Sequence, residues 1–214
     1  MKHITRLKNF TKSNGFRFEA AAIMALTLAL AFSVTSFAGV CAQVRGSVLR
    51  MHVIANSDSP EDQSLKLKVR DAVLEEGADI FDGSLTAADA EEKISLSKER
   101  LTLAAEKVIE ENGFDYDVNI DVVYEYFSTR SYGSITLPAG KYTAVKVMIG
   151  EAQGKNWWCV MFPPLCLPAA VQTDDAADAF LSEDGSRVVH SEPKFEPRFK
   201  IVELWEKLSA RFGI

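Results

Sequence analysis

The sequence is short of the residues that build most active sites. Its 214 residues hold three cysteines and three histidines, and neither their number nor their spacing matches a recognisable metal-ligand set. No glycine-rich phosphate loop lies between a strand and a helix, and no G-x-S-x-G elbow occurs, so the common nucleotide-binding and hydrolase signatures are missing. Prolines number seven, and there is no internal repeat or low-complexity tract, which excludes a fibrous or disordered chain. Positive charge is scarce as well. The net charge is −6, but Lys2, Arg6, Lys8, Lys12 and Arg17 against Glu19 give residues 1–42 a charge of +4 and leave −10 for residues 43–214. Such an acidic body is a poor partner for a phosphate backbone.

What the chain does possess begins at its amino terminus. From Ala20 to Ala42 every residue is apolar, small or hydroxylated, behind a flank of five cations. About 20 such residues suffice to span a bilayer, and the basic flank is retained in the cytoplasm, so residues 43–214 are expected to cross the membrane. Two readings stand side by side. One is a cleaved export signal, with small-residue sites at Ser36/Ala38 and at Val40/Ala42; the other is a membrane anchor. Val40 before Cys41 departs from the small residue that a lipoprotein signal needs.

Residues 43–214 read as a single exported α+β domain with a mixed or mostly antiparallel sheet and helices packed on one face. Val48–Ala55 alternates as a half-buried strand. Ser59, Pro60 and Asp62 open a helix that Gly77 ends, and Thr86 with Asp89 opens one long helix closing at Asn112-Gly113. Tyr116–Phe127 is the clearest strand. Tyr142–Ile149 and Asn156–Phe162, separated by a short loop, read as a β-hairpin stopped by Pro163-Pro164. Residues 169–194 form an acidic linker with a short helix expected near Asp174–Leu181, and 195–214 a terminal helix whose stripe of Ile201, Leu204, Trp205, Leu208 and Phe212 should dock on the sheet.

Candidate functional residues are few. Cys159 and Cys166 would lie about 23 Å apart on a straight strand, so a disulfide requires Pro163-Pro164 to fold the chain back. Export favours that bridge, and two buried thiols are the alternative. His52 and Asp58 match no metal-ligand pattern. Alternation sends Trp157 and Trp158 to opposite faces of their strand, one towards the core and one nearer solvent, where an exposed indole beside proline suits a partner contact. His52, Asn56, Asp58, Trp157, Trp158, Pro163 and Pro164 are therefore the contact candidates, on strand ends and turns of a rigid scaffold. No catalytic residue, cofactor or metal is assigned.

The stretch Arg50–Gln63 (RMHVIANSDSPEDQ), then Leu65–Val73, Leu137–Tyr142, Gly150-Glu151, Asn156–Cys166 and Arg198–Glu203 resemble the stage II sporulation protein R family. The resemblance covers nearly all of residues 45–212 except 169–194. It implies a signalling protein made in the forespore and exported into the intermembrane space. There, family members trigger a membrane-embedded aspartic protease of the mother cell that cleaves a pro-sigma factor. It brings no catalytic residues to carry over. Two other classes compete with it: an envelope enzyme, a hydrolase or oxidoreductase using Cys159 or Cys166, and a wall-binding module with an exposed tryptophan as its stacking platform.

Overall fold

The computed structural model describes residues 2–80, 86–132, 134–163, 181–190 and 197–212. Contacts divide the chain into two units, Met1–Gly39 and Val40–Ile214. Helix α1 runs from Lys2 to Gly46, and its Arg17–Gly46 portion is long and apolar enough to cross a membrane. Within the first unit Ile23, Leu26, Leu30 and Phe32 are exposed, the arrangement of an apolar helix that leaves its side chains for lipid. This apolar helix fits an export signal or anchor.

The second unit follows in the order β1 (Leu49–Ile54), α2 (Pro60–Ile80), α3 (Ala87–Leu96), α4 (Lys98–Glu111), β2 (Val118–Phe127), β3 (Arg130–Tyr132), β4 (Ile135–Leu137), β5 (Gly140–Ile149), β6 (Asn156–Phe162), α5 (Glu183–Val189) and α6 (Pro197–Phe212). It is an α+β fold with a mostly antiparallel sheet. The helix starts follow local chemistry. The Asp62 amide donates to Ser59 Oγ (3.1 Å) at the head of α2, and Thr86 and Asp89 form a reciprocal capping box at α3. Gly113, at φ +78°, follows the end of α4.

Gly77 does not end α2, which continues to Ile80 with this glycine buried inside the helix, since an interior glycine costs only about 1 kcal/mol against alanine; four further expectations are corrected. The sheet order is β2-β5-β1-β6, so β5 and β6 do not form a hairpin. Strand β1 lies between them, parallel to β5 (Val53 opposite Val147) and antiparallel to β6 (Met51 opposite Cys159). Second, β1 is buried on both faces rather than half-buried, as a central strand must be. Burial of both sides favours the middle of the sheet, and the chain from Gly150 to Lys155 is long enough to step over one strand at about 4.8 Å per strand. Third, the long helix breaks at Ser97, whose amide bonds the carbonyls of Lys93 and Ile94 while its side chain leaves α4 uncapped. Fourth, the terminal helix docks through Phe199 and Val202, not through its main apolar stripe: Ile201, Leu204, Trp205 and Leu208 are all exposed.

One face of the sheet carries Leu49, Met51, Val53, Ile120, Val145, Val147 and Met161 against α2, α3 and α4. Leu74 is buried in that same core. The other face has a smaller core of Phe127, Tyr142, Ala144 and Val160, roofed by Ile135 and Leu137 of the β3–β4 hairpin, by Val189 of α5 and by Val44 and Val48. Helix α5 falls inside the segment expected to be a linker. The helix expected near Asp174–Leu181 lies, apart from Leu181, outside the described residues.

Candidate functional site

The candidate residues separate into three places. The first is the second face of the sheet. There Asp121, Lys146, His52 and Trp158 stand in one row across all four strands. The His52 ring stacks on Trp158 with centroids 3.6 Å apart. Its Nδ1 lies 2.7 Å from Glu125 Oε1 and its Nε2 lies 2.9 Å from Asn156 Oδ1. Lys146 approaches the second Glu125 oxygen at 3.4 Å. Buried and held on both nitrogens, the imidazole fixes the plane of the half-buried Trp158, whose ring is also packed edge-on by Phe127 (4.9 Å) and covered by Arg130 (5.6 Å).

Next to this row lies Arg50, fully buried. Its guanidinium sits over Phe127 at 4.1 Å, Tyr142 at 5.0 Å and Tyr132 at 5.4 Å, and one nitrogen donates to the Tyr132 hydroxyl. Burial pushes the Arg50 pKa down and those of Tyr132 and Tyr142 up. The rings supply attraction for a cation that has no carboxylate bond among the described residues.

The second place is the end of β1. Asn56 donates from Nδ2 to Asp62 Oδ2 (2.9 Å) and accepts the Glu151 amide on Oδ1 (2.9 Å). Asp58 Oδ1 accepts the Lys155 amide (2.7 Å), and Lys66 Nζ donates to the Lys155 carbonyl (2.9 Å). The amides of Gln153 and Gly154 bond the carbonyls of Asn56 and Ala55. These bonds latch the 150–155 loop onto the turn between β1 and α2. A Cβ at Gly150 would strike the Asn56 side chain and one at Gly154 the Ser57 carbonyl, which accounts for both glycines. Burial raises the Asp62 pKa, but hydrogen bonds from Ser57, Asn56 and Tyr116 outweigh it and hold the carboxyl below its ordinary value.

The third place is the helix-covered face of β6. Trp157 is exposed at 37% there, under the Arg70 guanidinium of α2 at 4.6 Å. Pro163 is buried after a cis peptide bond to Phe162. Cys159 is buried in the main core, whereas Pro164 and Cys166, and with them the expected disulfide, lie outside the described residues.

His52 and Trp158 are thus brought together, while Asn56 and Asp58 hold a loop at the strand end and Trp157 faces the helices. Sequence reasoning missed Arg50, Glu125, Lys146, Asn156 and Arg130. Alternation does put Arg50 with His52, and Glu125 with Asp121, on one face each, but only the strand order joins those faces. Both His52 ring nitrogens are engaged by side-chain oxygens, those of Glu125 and Asn156, which hold the ring in place. Among the described residues no three His, Cys, Asp or Glu side chains gather as metal ligands.

Against known proteins, a sequence profile described as stage II sporulation protein R matches residues 45–172. A stage II sporulation protein R of Bacillus subtilis (strain 168) is 36% identical over 118 residues, covering 55% of this chain and 53% of that protein. The chain therefore spans about half the length of the curated relative it matches. No solved structure matches.

Proposed function

Because the chain belongs to the stage II sporulation protein R family, we propose that within sporulation it is a forespore-made signal, exported into the intermembrane space, which activates a membrane-embedded aspartic protease of the mother cell and so triggers cleavage of a pro-sigma factor. The family match over residues 45–172 carries this reading. Two features support it: the apolar amino-terminal helix suited to export, and the rigid face where His52, Glu125 and Asn156 orient Trp158. A ligand of this kind works by binding the active state of its target more tightly than the resting state; it needs no chemistry of its own.

The test is co-expression of the full chain with the protease and its pro-sigma substrate in a non-sporulating host, following substrate cleavage by gel. Cleavage that depends on an intact residue 1–42 segment is the expected result. Trp158→Ala and Arg130→Ala, in protein shown to be folded and exported, should each reduce cleavage at least about tenfold, the loss typical of a central aromatic or arginine anchor. Unchanged cleavage in both would place the contact elsewhere. No cleavage with folded, exported protein would remove the activator role.

A further inference from the structure

The terminal helix offers the largest feature that the proposed function does not use. At 100° per residue, Ile201, Leu204, Trp205 and Leu208 share one face of α6, with exposures of 47%, 61%, 65% and 42%. The helix is docked by its far side, through Phe199 and Val202, which are 2% and 4% exposed. Four bulky apolar groups in one patch are more than scattered surface residues, and such a patch marks a binding surface.

We propose that this face of α6 lies on a lipid bilayer, in the plane of the headgroups. Three observations select lipid as the occupant. Helix α6 is pinned by an ion pair between Arg45 and Glu206 (3.2 Å), and Arg45 belongs to the last turn of α1, the same helix whose apolar stretch is long enough to cross a membrane. Along the chain, Arg45 follows the apolar run that ends at Ala42 by three residues. Secondly, α6 is net basic by sequence. In a body of net charge −10, α6 carries Arg198, Lys200, Lys207 and Arg211 against Glu203 and Glu206. Both acids are drawn away from the apolar face, Glu206 to Arg45 and Glu203 to Lys200 with its side chain 15% exposed, while Lys200 remains 77% exposed. An exposed ammonium such as that of Lys200 meets anionic headgroups favourably. Thirdly, the apolar face includes a tryptophan, Trp205, the side chain that prefers the boundary between headgroups and acyl chains. The contact would keep the recognition surface close to the membrane whether or not the amino-terminal segment is cleaved.

The experiment uses the full chain reconstituted into vesicles of phosphatidylcholine and phosphatidylglycerol. Brominated lipids quench tryptophan from within the bilayer, with bromine placed near the headgroup or deep in the chains, and iodide on both sides quenches it from water. The difference between the wild type and Trp205→Phe isolates Trp205 from Trp157 and Trp158. Expected is a roughly twofold or greater loss of the Trp205 signal with shallow bromine, less with deep bromine, and protection from iodide. Leu204→Ser with Leu208→Ser should reverse that pattern without changing the Trp157 and Trp158 signal. Quenching by iodide but not by bromine would overturn the proposal by showing a water-exposed face. Protection from both quenchers would also overturn it, because the face would then be covered by protein, a second copy of this chain included.

Discussion

Asp62 shows how one residue serves several structures at once. It is nearly fully buried, its amide caps α2 on Ser59, and its carboxylate collects bonds from Ser57 (2.5 Å) and Asn56 (2.9 Å). Since those bonds hold its pKa below the ordinary value, the charged form stabilises the fold at any pH above the unfolded value of about 3.9, and that contribution is lost as pH falls through the lower folded value. Asp62→Asn should therefore lower stability at neutral pH and flatten the loss of stability below about pH 4, as measured by urea unfolding across a pH series. An unchanged acid limb would show that other carboxylates govern it. His52 is the complementary case. Its identity and strand were legible, but Glu125 stands 73 residues away and Asn156 stands 104 away, so its role as the support of Trp158 was not.

At the scale of elements, the decisive joint is the latch between the turn after β1 and the loop that precedes β6. It lets β6 reach the far side of β1, which is why two strands separated by a short loop are not neighbours. The joint depends on close backbone approach at Gly154, where an added Cβ would meet the Ser57 carbonyl. Gly154→Ala should cost about 2–3 kcal/mol in chemical unfolding, because backbone rather than a flexible side chain must move. Gly46→Ala, at a position with nothing near its Cβ and in the last turn of a helix, should be neutral or stabilising by up to about 1 kcal/mol. Equal effects at both glycines would mean that the latch is loose. The starts of α2 and α3 were legible from their caps, and the buried stripe of α2 from the spacing of Leu65, Val69 and Val73, but neither the end of α2 beyond Gly77 nor α5 was. The break at Ser97 was not, since Ile94 and Leu101, both buried, fit an unbroken helix as well as two.

For the whole molecule, the boundary between the apolar amino-terminal helix and the body matters most. The body begins, by contacts, at Val40, with Cys41 fully buried and Val44 at 1% exposure. Of the two sites read from small residues, the one after Ala38 keeps Cys41 in the core and the one after Ala42 removes it. A chain starting at Gly39 should therefore be more stable than one starting at Gln43 by about 1–2 kcal/mol, the worth of a buried small apolar side chain and its packing. Urea midpoints of the two proteins decide this; identical midpoints would make residues 39–42 dispensable to the fold.

Seen across these scales, the sequence alone determined whatever depends on neighbours within a few residues. That covers the apolar run of α1, the caps at Ser59 and Thr86, the alternation of β2, and the lack of recognisable catalytic spacing. Residue patterns also sufficed to mark the family. Tertiary structure decided the strand order, the aromatic cage around Arg50, the row that holds Trp158, and which side of α6 is covered. The physical reason is that a helical or alternating pattern states which residues share a face, but not what that face meets. Ile201, Leu204, Trp205 and Leu208 form as good an apolar stripe as any core helix, and Phe199 with Val202 a poorer one, yet packing of the whole domain buries the pair and leaves the stripe open.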